Sequence, residues 1–96
     1  MSITAAKQAI EEASILRHAL GINERTKRTS WGYRNFFTTG PGAADYATCN
    51  ALVERGLMEV GRLVSWCPDV TFRVTRAGML AAGLTEKEAD RAINAR

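Results

Sequence analysis

The stretch from Ala43 to Leu80 constrains the fold of this chain more than any other part. An apolar pattern at helical spacing ends at Gly56, and two β-rich runs follow, joined through Pro68 and Asp69. Proline presets a turn dihedral and aspartate tolerates the tight position after it, so the runs are predicted to form a hairpin. Thr75 then stands where the N-cap of another helix belongs. This order of helix, hairpin and helix predicts an α+β domain.

The position of the turn determines which hairpin residues share a face. If the turn lies at the proline, two pairs face the core: Leu63 with Val74, and Ser65 with Phe72. The other face then carries Arg62, Val64, Trp66 and Arg73. Arginine beside a half-exposed tryptophan is typical of a stacked pair or a contact surface. The alternative is that the last helix covers Trp66.

Helices are predicted on both sides of this stretch. The first runs from Thr4 to Leu20 and ends at Gly21, with an apolar stripe of Ala6, Ile10, Ala13, Leu16 and Leu20. Ser30 is predicted to cap a short helix, and Thr85 with Glu88 has the spacing of a capping box. The last helix then presents Ala89, Ala92 and Ile93 inward. The expected fold is one winged-helix-like domain over residues 1–96, with three or more helices packed against a two-stranded hairpin.

Length and residue types narrow the function classes. No run approaches the roughly 20 apolar residues of a membrane span, and Met1 leads directly into a helix without a signal-peptide pattern. Cys49 and Cys67 are therefore expected as reduced thiols in the cytoplasm. With His18 as the lone histidine, their spacing matches no metal site. No nucleophile or paired-carboxylate motif is present, so the sequence predicts neither a cofactor nor an enzyme.

The positive charge is concentrated in one part of the chain. The stretch from Arg25 to Gly40 carries four cations and no acid, whereas the net charge of the whole chain is +3. Aromatic residues interleave with these cations, as in surfaces that neutralise phosphates and stack bases. With two hairpin arginines, the candidates for nucleic-acid or partner binding are Arg25, Lys27, Arg28, Trp31, Tyr33, Arg34, Arg62 and Arg73. The alternative is a solvated basic loop beside core aromatics.

A protein-binding role is the second hypothesis. Val64 and Trp66 with Arg73 form the aromatic and arginine-rich kind of patch that interfaces favour. The basic stretch can also engage an acidic protein surface, and exposed hairpin edges favour homodimers.

Two resemblances add to this reading of the residues. The run L-V-E-R-G-L-M, a hairpin and then F-R-V-T-R-A-G resembles the second half of winged-helix proteins of the MarR-like kind. The run from Arg34 to Tyr46, continuing into C-N-A-L-V-E-R-G-L-M, resembles small proteins of bacteriophages and prophages. The first resemblance implies a winged-helix fold and a nucleic-acid-binding regulator, and the second implies a bacterial host but no particular activity. However, the helix in the recognition position presents Asp45, Thr48, Ala51 and Glu54, which weakens the standard DNA-reading mode.

Overall fold

A computed structural model describes residues 3–61 and 67–94. Within these residues the chain forms an α+β domain of four α-helices, a short 3₁₀ turn and a three-stranded sheet. The helices are α1 (Ile3–Ala19), α2 (Ala44–Glu54), α3 (Arg76–Ala81) and α4 (Glu86–Asn94), and the 3₁₀ turn is Arg28–Ser30. The strands are β1 (Phe37–Thr39), β2 (Met58–Val60) and β3 (Val70–Val74). None of the helices in this part of the chain has the length and apolar character needed to cross a bilayer.

The antiparallel sheet has the order β1-β3-β2. The two predicted β-rich runs do pair, as β2 with β3, but the prediction of only two strands is wrong. The additional strand, β1, pairs with β3 and places Phe37 opposite Phe72. Three residues are too few to show the alternation of a strand, and the partner lies more than thirty residues away in the chain. The sequence pattern therefore indicates only a turn where β1 forms.

The register of the hairpin also differs from the prediction. Val74 lies opposite Met58 and Phe72 opposite Val60, so the predicted pairings of these two residues with Leu63 and Ser65 are wrong. β2 ends at Val60, and the next amide, of Gly61, donates to the Thr71 carbonyl at 2.6 Å. The rest of the predicted run, residues 62–66, lies outside the described residues. Phe72 and Val74 do face the core, as predicted. Leu63 and Ser65 themselves lie outside the described residues.

The core forms where the second half of α1 meets α2, the sheet and α3. The buried face of α1 consists of Glu12, Ile15, Leu16 and Ala19. The predicted stripe is therefore wrong for Ile10, which is 70% exposed, and for Ala13, which is also exposed. The helix is longer than the layer beneath it, so its first half has apolar residues without a surface to cover them.

The predicted helix caps at Thr75 and Thr85 are confirmed. The Thr75 hydroxyl accepts from the Gly78 amide at 3.1 Å, and Thr85 and Glu88 form both bonds of the capping box, at 2.9 and 3.2 Å. Two local predictions are wrong. Ser30 ends the 3₁₀ turn instead of capping a helix, and Ile93 is 41% exposed because the inward face of α4 is formed by Ala89 and Ala92.

Candidate functional site

The residues from 25 to 34, here called the basic segment, run from the end of α1 across to α4. Two backbone bonds tie this part of the chain to α1: the Gly32 amide donates to the Leu20 carbonyl at 3.0 Å, and the Phe36 amide to the Ala19 carbonyl at 3.2 Å. The side chain of Asn23 accepts from two following amides and fixes the turn that leads into the segment. These hydrogen bonds therefore fix the position of the basic segment in the fold.

Arg28 binds the segment to α4. Its guanidinium forms two hydrogen bonds with the Glu88 carboxylate, at 2.7 and 2.9 Å, and a third with the Gly83 carbonyl at 3.0 Å. The guanidinium also lies 4.5 Å from the ring centre of Trp31. Hydrogen bonds from Arg28 first, and from the Thr85 amide next, lower the pKa of Glu88 to about 2. The charge of Arg28 is thus matched by a carboxylate inside the molecule.

Gly32 and Trp31 complete this contact. Gly32 has a φ of +85°, which glycine adopts without strain, and a Cβ there would lie 2.7 Å from the Cβ of Ala92. Trp31 is partly buried and packs against the core. The backbone of the segment therefore lies directly on α4, at a distance that only glycine permits.

Arg25 and Lys27 have a different environment from Arg28. Both are exposed, and within residues 3–61 and 67–94 neither forms an ion pair. Together with Tyr33, which is 67% exposed, they line an open hollow of about 500 Å³. Three of the predicted residues are thus brought together as two cations beside an aromatic ring.

The sequence interpretation missed two residues of this surface. Ser30 lines the same hollow, and a neighbouring hollow of about 260 Å³ is lined by Trp31, Tyr33 and Arg91 among others. Arg91 donates to the Arg28 carbonyl at 3.4 Å, which holds it beside the segment. No local signal identifies Arg91, because its place depends on how α4 packs.

The remaining predicted arginines that are described lie toward the outer face of the sheet. The Arg34 guanidinium lies 4.4 Å from the ring centre of Phe36. Arg73 is half exposed and meets Glu59 at 3.5 Å, a surface pair of the kind that contributes roughly 0–1 kcal/mol. The candidates therefore occupy two adjoining surfaces. Arg62, Val64 and Trp66 lie outside the described residues.

The side chains of His18 and Cys49, which are chemically reactive types, make packing contacts. His18 meets the Phe37 ring edge-on at a centroid distance of 5.5 Å. Cys49 is fully buried, and this burial, with a smaller effect from the charge of Asp45, raises the pKa of its thiol to about 11. Both cysteines are free thiols. Among the described residues no group of histidine, cysteine, aspartate and glutamate could hold a metal ion.

A second region lies on the α1 and α2 side of the molecule. A hollow of about 330 Å³ is lined by Ile10, Glu11 and Asp45 among others, and an adjoining hollow of about 390 Å³ shares Glu11. Asp45 accepts a hydrogen bond from the Thr39 hydroxyl at 2.6 Å. Two acids and one cation, Lys7, line these hollows, so the region is less favourable to phosphate than the surface around Lys27.

No protein-family model, curated protein or solved structure matches this chain. Its function is therefore inferred from its own side chains. The arrangement around the basic segment offers fixed cations and exposed rings, which suit the binding of an anionic, partly aromatic ligand.

Proposed function

We propose that this chain is a small phage- or prophage-encoded, winged-helix-like protein that binds nucleic acid in a regulatory role within the bacterial cytoplasm. The observation that carries the proposal is that Arg25 and Lys27, which have no ion-pair partner among the described residues, lie beside the exposed ring of Tyr33. A phosphate chain supplies the negative charge that these cations lack, and a base supplies a face for the ring.

The winged-helix-like part of the proposal is supported by element order. The order of α2, β2, β3 and α3 is the helix, hairpin and helix order that the MarR-like resemblance implies. The outer surface of α2 does not supply phosphate contacts, because Glu54 is exposed and Arg55 is paired with Glu12. We therefore propose that the basic segment, rather than α2, contacts the nucleic acid.

The strength of binding follows from the number of available cations. Arg28 is matched by Glu88, which leaves Arg25, Lys27 and Arg91 on this surface. Each neutralised phosphate releases about 0.7–0.9 of a counterion, so the affinity should fall with salt at a logarithmic slope of about 2 to 3. A slope of this size is typical of a protein that binds nucleic acid with modest affinity.

The test is fluorescence anisotropy of labelled oligonucleotides between about 50 and 200 mM salt. Lys27→Gln should weaken binding and reduce the slope by about 1, and Arg25→Gln should do the same. Lys7→Gln is the matched control, since it removes the same charge from α1, where Lys7 lines the hollow on the acidic side. Equal losses in Lys27→Gln and Lys7→Gln would show that net charge alone governs binding. Absence of binding at the lowest salt would contradict the proposal.

The second candidate function is docking on an acidic protein surface of a host or phage complex, without catalysis. The observation that favours it is that exposed tyrosine and phenylalanine accompany the arginines, a composition enriched at interfaces. β1 and β2 are the edges of the described sheet, so pairing of two copies through an edge is also proposed. Sedimentation equilibrium of the purified protein distinguishes a monomer from a dimer.

A further inference from the structure

The outer face of the sheet combines exposed basic and aromatic side chains, whereas the aromatic side chains of the other face, Phe37 and Phe72, pack in the core. Thr38 and Thr71 lie opposite each other on this face, with their hydroxyl oxygens 3.2 Å apart. Arg73 is two residues after Thr71 on β3 and lies on the same face, opposite Glu59 of β2. The register of β1, continued one residue before Phe37, brings Phe36 to the same row as Arg73.

Asn35 supports this extension of the register. Its side-chain amide donates to the Val74 carbonyl at 3.0 Å and accepts from the Val74 amide at 2.7 Å. Asn35 thus replaces the backbone of a longer β1, and it holds Phe36 beside the sheet. Phe36 remains 48% exposed.

Arg34 lies over the ring of Phe36. The guanidinium carbon is 4.4 Å from the ring centre, a cation–π contact, and one of its nitrogens approaches the Phe36 carbonyl at 3.5 Å. Its Nε is buried without a hydrogen-bond partner, and no acid in the described part of the chain pairs with Arg34. The contacts with Phe36 therefore orient the guanidinium, while its charge has no acidic partner in the described residues.

Gly21 joins this surface to the basic segment. A side chain on Gly21 would overlap the ring of Tyr33 on one side and Cγ of Arg34 on the other, so both residues lie on the bare backbone at the end of α1. Exposed Lys27, Tyr33 and Phe36 thus lie along one stretch of the surface, together with the partly buried Arg34. This surface, from residue 25 to Phe36 with Arg73, is called the aromatic track.

We propose that the aromatic track binds unpaired nucleotides in preference to a duplex. Bases in a duplex are stacked on one another and offer no face to a side chain, whereas unpaired bases stack on aromatic rings and on guanidinium planes. Tyr33 supplies a ring, and Arg34, supported by Phe36, supplies a plane. The unmatched cations accompany the phosphates between the stacked bases. This inference rests on the proposed function and names its ligand class.

The test compares anisotropy titrations of a single strand of about 12 nucleotides with those of its duplex, at low salt and with both DNA and RNA. The single strand should bind about tenfold or more tightly than the duplex. Phe36→Ala removes the ring that supports the Arg34 guanidinium as a stacking plane. It should therefore weaken single-strand binding by about 5- to 150-fold, the usual effect of losing one stacking contact. Phe36→Leu, which keeps an apolar side chain but no ring, should lose as much.

Ile10→Ala is the matched control, because Ile10 is an exposed apolar residue on α1 and lines the acidic hollow instead. It should leave binding unchanged. Thermal melting of each variant should show an intact fold. If Phe36→Ala unfolds at a lower temperature than the unmodified protein, the binding measured for Phe36→Leu tests the inference instead. Binding of DNA and RNA strands alike supports the inference, and tighter binding of RNA supports it while assigning the 2′-hydroxyl a contact.

The outcomes separate this inference from the proposed function. Duplex binding as tight as single-strand binding overturns the inference alone. Single-strand binding that survives both Phe36 variants also overturns it alone, provided that Lys27→Gln still weakens binding. Failure of every oligonucleotide to bind at low salt overturns the inference and the proposed function together, and leaves an acidic protein surface as the partner.

Discussion

Arg28 and Lys27 are neighbours in the chain, yet they lie in opposite environments. Arg28 is fixed by the Glu88 carboxylate, the Gly83 carbonyl and the Trp31 ring. Lys27 and Arg25 lie at the surface without an acidic partner in the described residues. Arg28 therefore stabilises the fold, whereas Lys27 and Arg25 are available to a ligand.

This difference shows why a charge count overstates a binding surface. The four cations between Arg25 and Gly40 suggest four phosphate contacts, but Glu88 matches one of them from a distant part of the sequence. The same pairing has a benefit for recognition. Because Arg28 and Gly32 fix the segment on α4, Lys27 and Tyr33 lose less freedom when a ligand binds.

The largest effect is expected from breaking the contact between the segment and α4. Gly32→Ala should lower the free energy of unfolding by about 2–4 kcal/mol, because alanine strains the left-handed backbone and its Cβ meets Ala92 at 2.7 Å. Gly42→Ala is the matched control, since Gly42 has a φ of +95° with no atom near its missing Cβ. Urea denaturation should show a cost of only about 1–2 kcal/mol there. Equal costs at both sites would mean that the segment does not rest on α4.

A smaller loss of stability is expected when Arg28 is replaced. Arg28→Ala should lower the thermal midpoint, because it leaves the Glu88 carboxylate, only 14% exposed, without its partner. Arg28→Lys should lose most of the same stability, since an ammonium cannot form the two parallel bonds. Circular dichroism melting measures both. In a Glu88→Gln background Arg28→Ala should have a smaller effect, and strict additivity of the two changes would contradict the pairing.

The sequence predicts the parts of this region that depend on neighbouring residues. Thr85 and Glu88 are three residues apart, and their capping box forms as predicted. Thr75 likewise caps α3, and Gly21 and Gly56 have the positive φ expected at helix ends. Such signals can be predicted because both partners lie within a few residues in the chain.

Features that depend on distant partners could not be predicted in this way. The ion pair of Arg28 with Glu88 spans 60 residues, and Arg91 reaches the segment only after α4 has packed. β1 forms because β3 provides a ladder, not because three residues favour a strand. The apolar spacing of α1 predicts a buried Ile10, but burial also requires a surface opposite it.

The third expected effect is a pH dependence of stability that arises from Glu88. Its pKa is about 2 in the folded protein against an ordinary value of 4.5, so the folded state binds this proton more weakly than the unfolded chain does. The stability that it contributes is fully present above about pH 4.5 and is lost as the pH falls toward 2. A carboxyl ¹³C titration of Glu88 should show this midpoint. Arg28→Ala should move it upward, and an unmoved midpoint would assign the shift to the capping box alone.

The smallest effect is expected from the cations that the fold does not use. Lys27→Gln and Arg25→Gln should each change the free energy of unfolding by less than about 0.5 kcal/mol, because neither side chain contacts an acid or the core in the described residues. Urea denaturation beside Arg28→Ala measures the contrast directly. If Lys27→Gln destabilised the fold as much as Arg28→Ala, Lys27 would be a structural residue, and a loss of nucleic-acid binding in that variant would no longer identify a phosphate contact. Unchanged stability together with weakened binding assigns Lys27 to the ligand and Arg28 to the fold.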